Sequence, residues 1–199
     1  MRYAIVSDIH ANMAAWRNVL TDIADLRTEK IICLGDILGY GPDPVAVLES
    51  VYQLVDVTLQ GNHDAAVCRR MSTDSFYGLA ADAVSHSREK LAPAALKWLQ
   101  ALPMTHAEPD FRCAHGDFSD PQAFRYITEP ADALPSWRAT DEQLLFVGHS
   151  HVPGIFVTGA SGKPHFIPPC DFELEPGKRY IVNPGSVGYP RAGDGRSSY

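Results

Sequence analysis

Eight side chains in this sequence have the types and spacing for metal and phosphate chemistry: Asp8, His10, Asp36, Asn62, His63, His115, His149 and His151. They fall in five short polar groups. These are Ser7-Asp8-Ile9-His10, Gly35-Asp36, Gly61-Asn62-His63-Asp64, His115-Gly116 and Gly148-His149-Ser150-His151. Five of the eight histidines of the chain lie in these groups, a concentration that random scatter would not give. Carboxylate, amide and imidazole donors without a thiolate suit Mn, Fe, Co, Ni or Zn better than Ca. The set is large enough for two divalent ions that share one carboxylate. Two such ions outweigh two aspartates in charge, so the centre would attract an anion. Paired metals are an arrangement that clamps the attacking and leaving oxygens in phosphate-ester hydrolysis.

The elements that must position these groups are apolar runs, each ending in one of them. Arg2–Val6, Lys30–Leu34, Val57–Leu59, Phe111–Ala114 and Leu144–Val147 read as buried strands. On an extended backbone, residues two apart point to the same side, so Asp8 and His10 are expected to converge past the first strand. Parallel strands bring their carboxyl ends to one sheet edge, where open α/β sheets bind ligands, and the five tips are expected to meet there. The first three strands alternate with helical patterns, which predicts a β-α-β layout. One helix follows Asn12, a plausible N-cap, through Met13, Trp16, Val19, Leu20, Ile23 and Leu26. A second is carried by Val45, Leu48, Val51, Tyr52 and Val55. Residues 65–102 read as a helical excursion within the domain, helical at 75–88 and 93–101, and 118–142 are mixed. Ile155–Val157 and Tyr180–Val182 read as later strands between Gly/Pro-rich turns, and the tail around Gly193, Asp194 and Gly195 is turn-rich.

The chain as a whole sets limits. Its 199 residues are 45% hydrophobic and 21% charged, which predicts one globular domain over 1–199. A net charge of −7 argues against nucleic acid as a partner, because phosphate backbones need Lys and Arg in bulk. Cys33, Cys68, Cys113 and Cys170 form no C-x-x-C pair, so a zinc ribbon or thioredoxin motif is excluded. Cys33 and Cys113 sit in strand-like runs and are expected as buried thiols. No apolar stretch approaches the ~20 residues of a membrane span, and the N-terminus has no signal pattern. The expectation is a cytoplasmic protein with no membrane partner, its oligomeric state open.

Taken in order, the motifs D-x-H, G-D, G-N-H-D, H-G and G-H-S-H resemble the calcineurin-like metallophosphoesterase superfamily. Asp36-Ile37-Leu38-Gly39-Tyr40-Gly41-Pro42 and the Asn183-Pro184-Gly185-Ser186 turn most resemble its small bacterial and archaeal phosphodiesterase branch. The resemblance implies an α/β fold, a four-layer α/β/β/α sandwich of two mixed β-sheets flanked by helices. It implies that Asp8, His10 and His151 bind one metal, that Asn62, His115 and His149 bind the other, and that Asp36 bridges. His63 would be the acid that binds no metal, paired with Asp64. An imidazole titrating near about 6.5 can protonate a leaving alkoxide, and a neighbouring carboxylate would hold it as imidazolium. The nucleophile would be metal-bound hydroxide, since a metal brings the pKa of water down to ~7.

The implied activity is that of a dinuclear-metal-dependent phosphodiesterase on a small phosphoester substrate, with manganese the first choice and Fe, Ni, Co or Zn as others. Alternatives are a phosphomonoesterase, a dinucleoside polyphosphate hydrolase, or a non-catalytic metal-binding scaffold for a protein partner. No ligand position is lost, which speaks against the scaffold. The G-D-x-V-D-R-G and G-N-H-E stretches of protein Ser/Thr phosphatases are replaced here, and their phosphate-gripping arginines are absent. Relatives usually continue past the position of Tyr199 with a closing strand, so either the chain is C-terminally truncated or its second sheet is shorter. His86, His106 and His165 read as surface residues, Asp43 and Asp117 as turn residues. Tyr40 either covers the site or packs on it, and the Asn183–Ser186 turn is either the floor of the site or an ordinary turn.

Overall fold

Three short β-branched runs pair into a parallel sheet, β1 (Tyr3–Val6), β2 (Lys30–Cys33) and β3 (Val57–Thr58), in that order. The register sets Val6 beside Cys33 and Cys33 beside Thr58, so three polar tips leave the sheet side by side. The crossovers are α1 (Met13–Asp25) and α2 (Pro44–Leu54). Asn12 caps α1 as expected, its Oδ1 accepting from the Ala15 N–H at 3.0 Å. The computed structural model describes residues 1–74, 76–159, 162–193 and 195–199; Ser75 and Asp194 of the expected helix and tail lie outside them.

The helical excursion holds three helices, α3 (Asn62–Val67), α4 (Gly78–Lys90) and α5 (Pro93–Ala101). The sequence reading missed α3, whose six residues are too few to show a period and are all buried. A second, mixed sheet follows: β4 (Thr105–Ala107), β5 (Phe111–Ala114), β6 (Leu144–Phe146), β7 (Gly154–Gly159), β8 (Gly162–Ile167) and β9 (Lys178–Asn183). Its order is β4-β5-β6-β9-β7-β8, with β5, β6 and β9 parallel and the other pairs antiparallel. Helix α6 (Ala133–Ala139) lies in the stretch read as mixed.

Alternation along the strands builds the layers. Ile5, Ile32, Leu34 and Leu59 of the first sheet share a core with Phe111 and Cys113 of the second. The opposite face of the first sheet, Ala4, Val6 and Cys33, packs on Trp16, Val19, Val47 and Val84 of the helices. The outer face of the second, with Ala114, Leu145 and Ile181, packs on Ala133 and Trp137 of α6. The result is the expected helix–sheet–sheet–helix sandwich, with the first sheet purely parallel. It corrects one expectation: the five tips meet across two stacked sheets rather than along the edge of one. Among the described residues no helix is long and apolar enough to cross a membrane.

Candidate metal centre

The polar tips are sharp turns rather than extended chain. Asp8 (φ 55°), His10 (φ 50°), Asp36 (φ 54°), His149 (φ 67°) and His151 (φ 61°) all adopt left-handed backbone conformations. Such residues cost on the order of 1–3 kcal/mol each and persist only where their surroundings over-determine them. The surroundings here are interlocked tips. Asp8 N–H donates to Gly35 O (3.0 Å), His10 N–H to Asp36 O (3.0 Å) and Ala11 N–H to Ile37 O (2.8 Å). Ser186 Oγ donates to Asp8 O at 2.8 Å, and Asn183 Nδ2 to Gly148 O at 2.7 Å, so the Asn183–Ser186 turn braces the floor. Asp8 and His10 do converge, but through this turn and not through strand alternation.

Two groups of donors result. Asp8, His10, Asp36 and His151 form one, and Asp36, His115 and His149 the other; within each, the ligand atoms lie within 4.8 Å of one another. His151 Nε2 is 3.3 Å from Asp8 Oδ1, and His10 Nε2 is 3.8 Å from both Asp8 Oδ1 and Asp36 Oδ2. In the second group His115 Nε2 is 3.4 Å from Asp36 Oδ2 and 3.3 Å from Asn62 Oδ1, which brings Asn62 in. All these residues are buried.

The hydrogen bonds of the imidazoles fix which nitrogen faces inward. His10 Nδ1 lies 2.9 Å from Leu38 O, His115 Nδ1 3.1 Å from Leu34 O, and His151 Nδ1 2.6 Å from Tyr189 O. A carbonyl only accepts, so each Nδ1 carries hydrogen and each Nε2 turns toward the carboxylates. A backbone carbonyl on the outer ring nitrogen is the usual support of a metal-ligating histidine. His10 Nε2 and His151 Nε2 stand 3.1 Å apart, and buried Asp8 Oδ1 and His149 Nε2 have no hydrogen-bond partner. Lone pairs meeting in a dry site need a cation between them. The nitrogen and oxygen donors fit a divalent one.

The electrostatics agree. Burial pulls His10 and His149 down to about 3, which keeps both neutral. Burial alone would raise Asp8 and Asp36, but the facing imidazoles, His151 for Asp8 and His115 for Asp36, hold both well below the usual carboxylate range. His115 goes the other way. Burial would lower it, yet the carboxylates of Asp36 and Asp8 outweigh that and raise it to about 9.

One expected partnership is corrected. Asp64 accepts from the N–H groups of Gly61 (3.2 Å), Leu38 (3.2 Å) and Ile37 (3.3 Å), and no hydrogen bond joins it to the His63 ring. As the third residue of α3 it turns back to cap the helix start, which points it away from its neighbour's imidazole. Burial and the nearby Asp36 charge push Asp64 up to about 7. His63 packs its ring 4.8 Å from His10 and 4.9 Å from both Tyr40 and Phe76, and its buried Nδ1 has no partner. A Cβ on Gly39 would sit 2.3 Å from that nitrogen, so only glycine lets this loop lie against His63.

A family model for the calcineurin-like phosphoesterase superfamily domain matches residues 1–199. The chain belongs to that superfamily. It is similar to a metallophosphoesterase from Sphaerobacter thermophilus, with a TM-score of 0.83 and 38% identity over 99% of this chain and 81% of the other. An uncharacterized protein of Methanocaldococcus jannaschii is 34% identical over 201 residues, 98% of this chain and 80% of its own length. A protein of Pyrococcus horikoshii shares the fold, with a TM-score of 0.73 at 18% identity over 94% of this chain and 77% of the other.

Around the centre stand Tyr126, Tyr189 and Arg191, which the sequence reading did not single out, and Tyr40, which it did. Tyr40, left open there, packs 4.8 Å from His10 and stacks on Tyr189 at 4.3 Å and 11°. Arg191 lies 5.8 Å from the Tyr189 ring, and its Nη2 is 3.4 Å from Tyr40 Oη. Tyr126 stacks on His149 at 3.8 Å and 12°. The turn at Asn183–Ser186 points to Tyr189 and Arg191 just beyond it; nothing in the sequence marks Tyr126. Elsewhere, His86 and His165 are exposed and His106 bonds Glu108. Asp117 accepts the N–H groups of Ser119 and Asp120 as a turn residue should, and Asp43 precedes α2 without a side-chain cap.

Proposed function

We propose that this phosphoesterase hydrolyses phosphodiesters with two divalent transition-metal ions, manganese foremost, and that residues 1–199 act as one domain. The observation that carries the reading is the ring of inward Nε2 atoms of His10, His115 and His151 around the carboxylates of Asp8 and Asp36. Asp8, His10 and His151 would hold one ion, Asn62, His115 and His149 the other, with Asp36 shared. When bound, such ions offset the phosphate charge and bring water's pKa down to ~7.

The chain's own residues do the rest. The buried left-handed tips hold the donors at fixed spacing and keep bulk water from them. In the reaction one P–O ester bond breaks, water supplies the new P–O bond, and His63 delivers a proton to the departing alcohol oxygen. Asp64 acts by fixing α3, and so the position of His63. No Lys or Arg lines the cavity next to His63 among the described residues, which suits the single charge of a diester better than a dianionic monoester. Free thiols at Cys33, Cys68, Cys113 and Cys170 fit a reducing compartment such as the cytoplasm.

The test is hydrolysis of bis-p-nitrophenyl phosphate and p-nitrophenyl phosphate by protein loaded with manganese, nickel, zinc or magnesium. The expected result is turnover with manganese and preference for the diester. Faster monoester hydrolysis would replace the diester assignment, and inertness on both with every metal would overturn the enzymatic one.

A further inference from the structure

Beside the metal centre lies a cavity of about 350 Å³. His63 and His149 line it where it adjoins the centre, and Tyr40, Phe76, Tyr77, Phe124 and Tyr126 add five aromatic rings. No Lys, Arg, Asp or Glu lines it among the described residues. We propose that this cavity is a subsite for a flat, uncharged ring such as a nucleobase, carried on the alcohol side of the phosphoester. The inference rests on the phosphoesterase reading and names its substrate class.

Three observations carry it. First, the walls are faces suited to stacking. Tyr126 lies parallel to His149 at 3.8 Å, and Phe76 packs 4.9 Å from His63, so ring surfaces frame the approach to both imidazoles. A base stacked on such a platform gains affinity whatever its hydrogen-bonding edge, because every base has a π-face. Second, Phe124 holds φ 48° and ψ 46°, a conformation rare for a bulky aromatic residue. It keeps that strained backbone while its ring sits at the cavity, 5.9 Å from His115. Strain of this kind concentrates at ligand clamps. Third, the volume and the charge both select. The cavity is at the small end of ligand sites, enough for one ring system. A second phosphate placed there would find no Lys or Arg on the lining among the described residues, which disfavours a polyphosphate chain. The hydrogen-bonding groups on the cavity's lining include the hydroxyls of Tyr40 and Tyr126.

The experiment is calorimetric titration of the manganese-loaded full chain with adenosine monophosphate and with ribose 5-phosphate, which share the phosphate and the sugar and differ in the base. The base-bearing ligand is expected to bind at least about tenfold tighter, the lower part of what one base–aromatic stack contributes. Phe76→Leu and Tyr126→Leu, each checked for unchanged manganese content, should shrink that preference several-fold. Equal affinities for the two ligands, or a preference untouched by both variants, would overturn the subsite. Hydrolysis of bis-p-nitrophenyl phosphate without any base preference removes the subsite alone. A base preference that survives while no phosphoester is hydrolysed supports the subsite and removes the activity alone.

Discussion

The main-chain N–H of His63 donates to Asp36 Oδ1 at 2.8 Å. The other oxygen of Asp36 faces His115 at 3.4 Å and His10 at 3.8 Å. One carboxylate is therefore pinned by the start of α3 and turned toward both donor groups at once. A Cβ on Gly61 would lie 2.1 Å from Asp36 Oδ1, so the glycine before α3 is what lets the pin fit.

Asp36→Asn should therefore deplete both ions, because the amide brings a donor where a shared anion is needed. Elemental analysis of the purified variant is expected to fall from about two metals per chain to below one. Gly61→Ala should act in the same direction more mildly, lowering metal affinity by roughly 10–100-fold, the usual scale when a ligand's support is disturbed.

His63→Ala separates proton delivery from metal binding. Metal content should stay near that of the parent while kcat drops by roughly 10²–10⁴-fold, the range of general acid catalysis. A variant that comes out stripped of metal would refute the assigned role.

Metal loading should also stabilise the fold, since Asp8 Oδ1 and His149 Nε2 are buried without partners. A ligand at a hundred times its dissociation constant adds about 2.7 kcal/mol to stability. For a chain of this size that corresponds to a rise in Tm of roughly 5–10 °C. Differential scanning of chelated and reloaded protein measures it, and an unchanged Tm would count against the centre.

The donors were legible in the sequence because each follows an apolar strand core and each tip is polar. What could not be read is how the tips turn. The left-handed φ angles of Asp8, His10, Asp36, His149 and His151 come from hydrogen bonds between distant tips, which no local pattern encodes. Strands β4 and β8 escaped for another reason. Thr105-His106-Ala107 lacks an apolar face, and Gly162–Ile167 carries Pro164 on the sheet edge, so neither alternates as a buried strand does. The pairing of His63 with Asp64 failed because neighbours on a short helix diverge, and the helix start captured the carboxylate.

Away from the centre, Glu108 gives a pH-dependent prediction. Hydrogen bonds from His106 (2.7 Å) and from Lys30, with a third from Tyr3 (3.2 Å), hold its carboxyl down to about 2, from an ordinary value of 4.5. A carboxylate lowered by folding stabilises the native state above its unfolded value, and the gain is lost as pH falls toward the folded one. Glu108→Gln should thus be less stable than the parent above about pH 5, with the gap closing between about 4.5 and about 2. Urea midpoints across that window test it; a gap that is constant with pH would exclude the linkage.

Donors for one centre are drawn from both sheets: Asp8, Asp36 and Asn62 follow β1, β2 and β3, while His115 and His149 follow β5 and β6. Cations seated there would act as rivets through the seam where Ile5 and Ile32 meet Phe111. The smaller sheet has only three short strands, and three-stranded sheets owe their stability to what covers them. Emptying the centre would therefore free the two sheets to breathe against each other, and amide exchange along β1 and β5 should quicken together when the rivets are drawn.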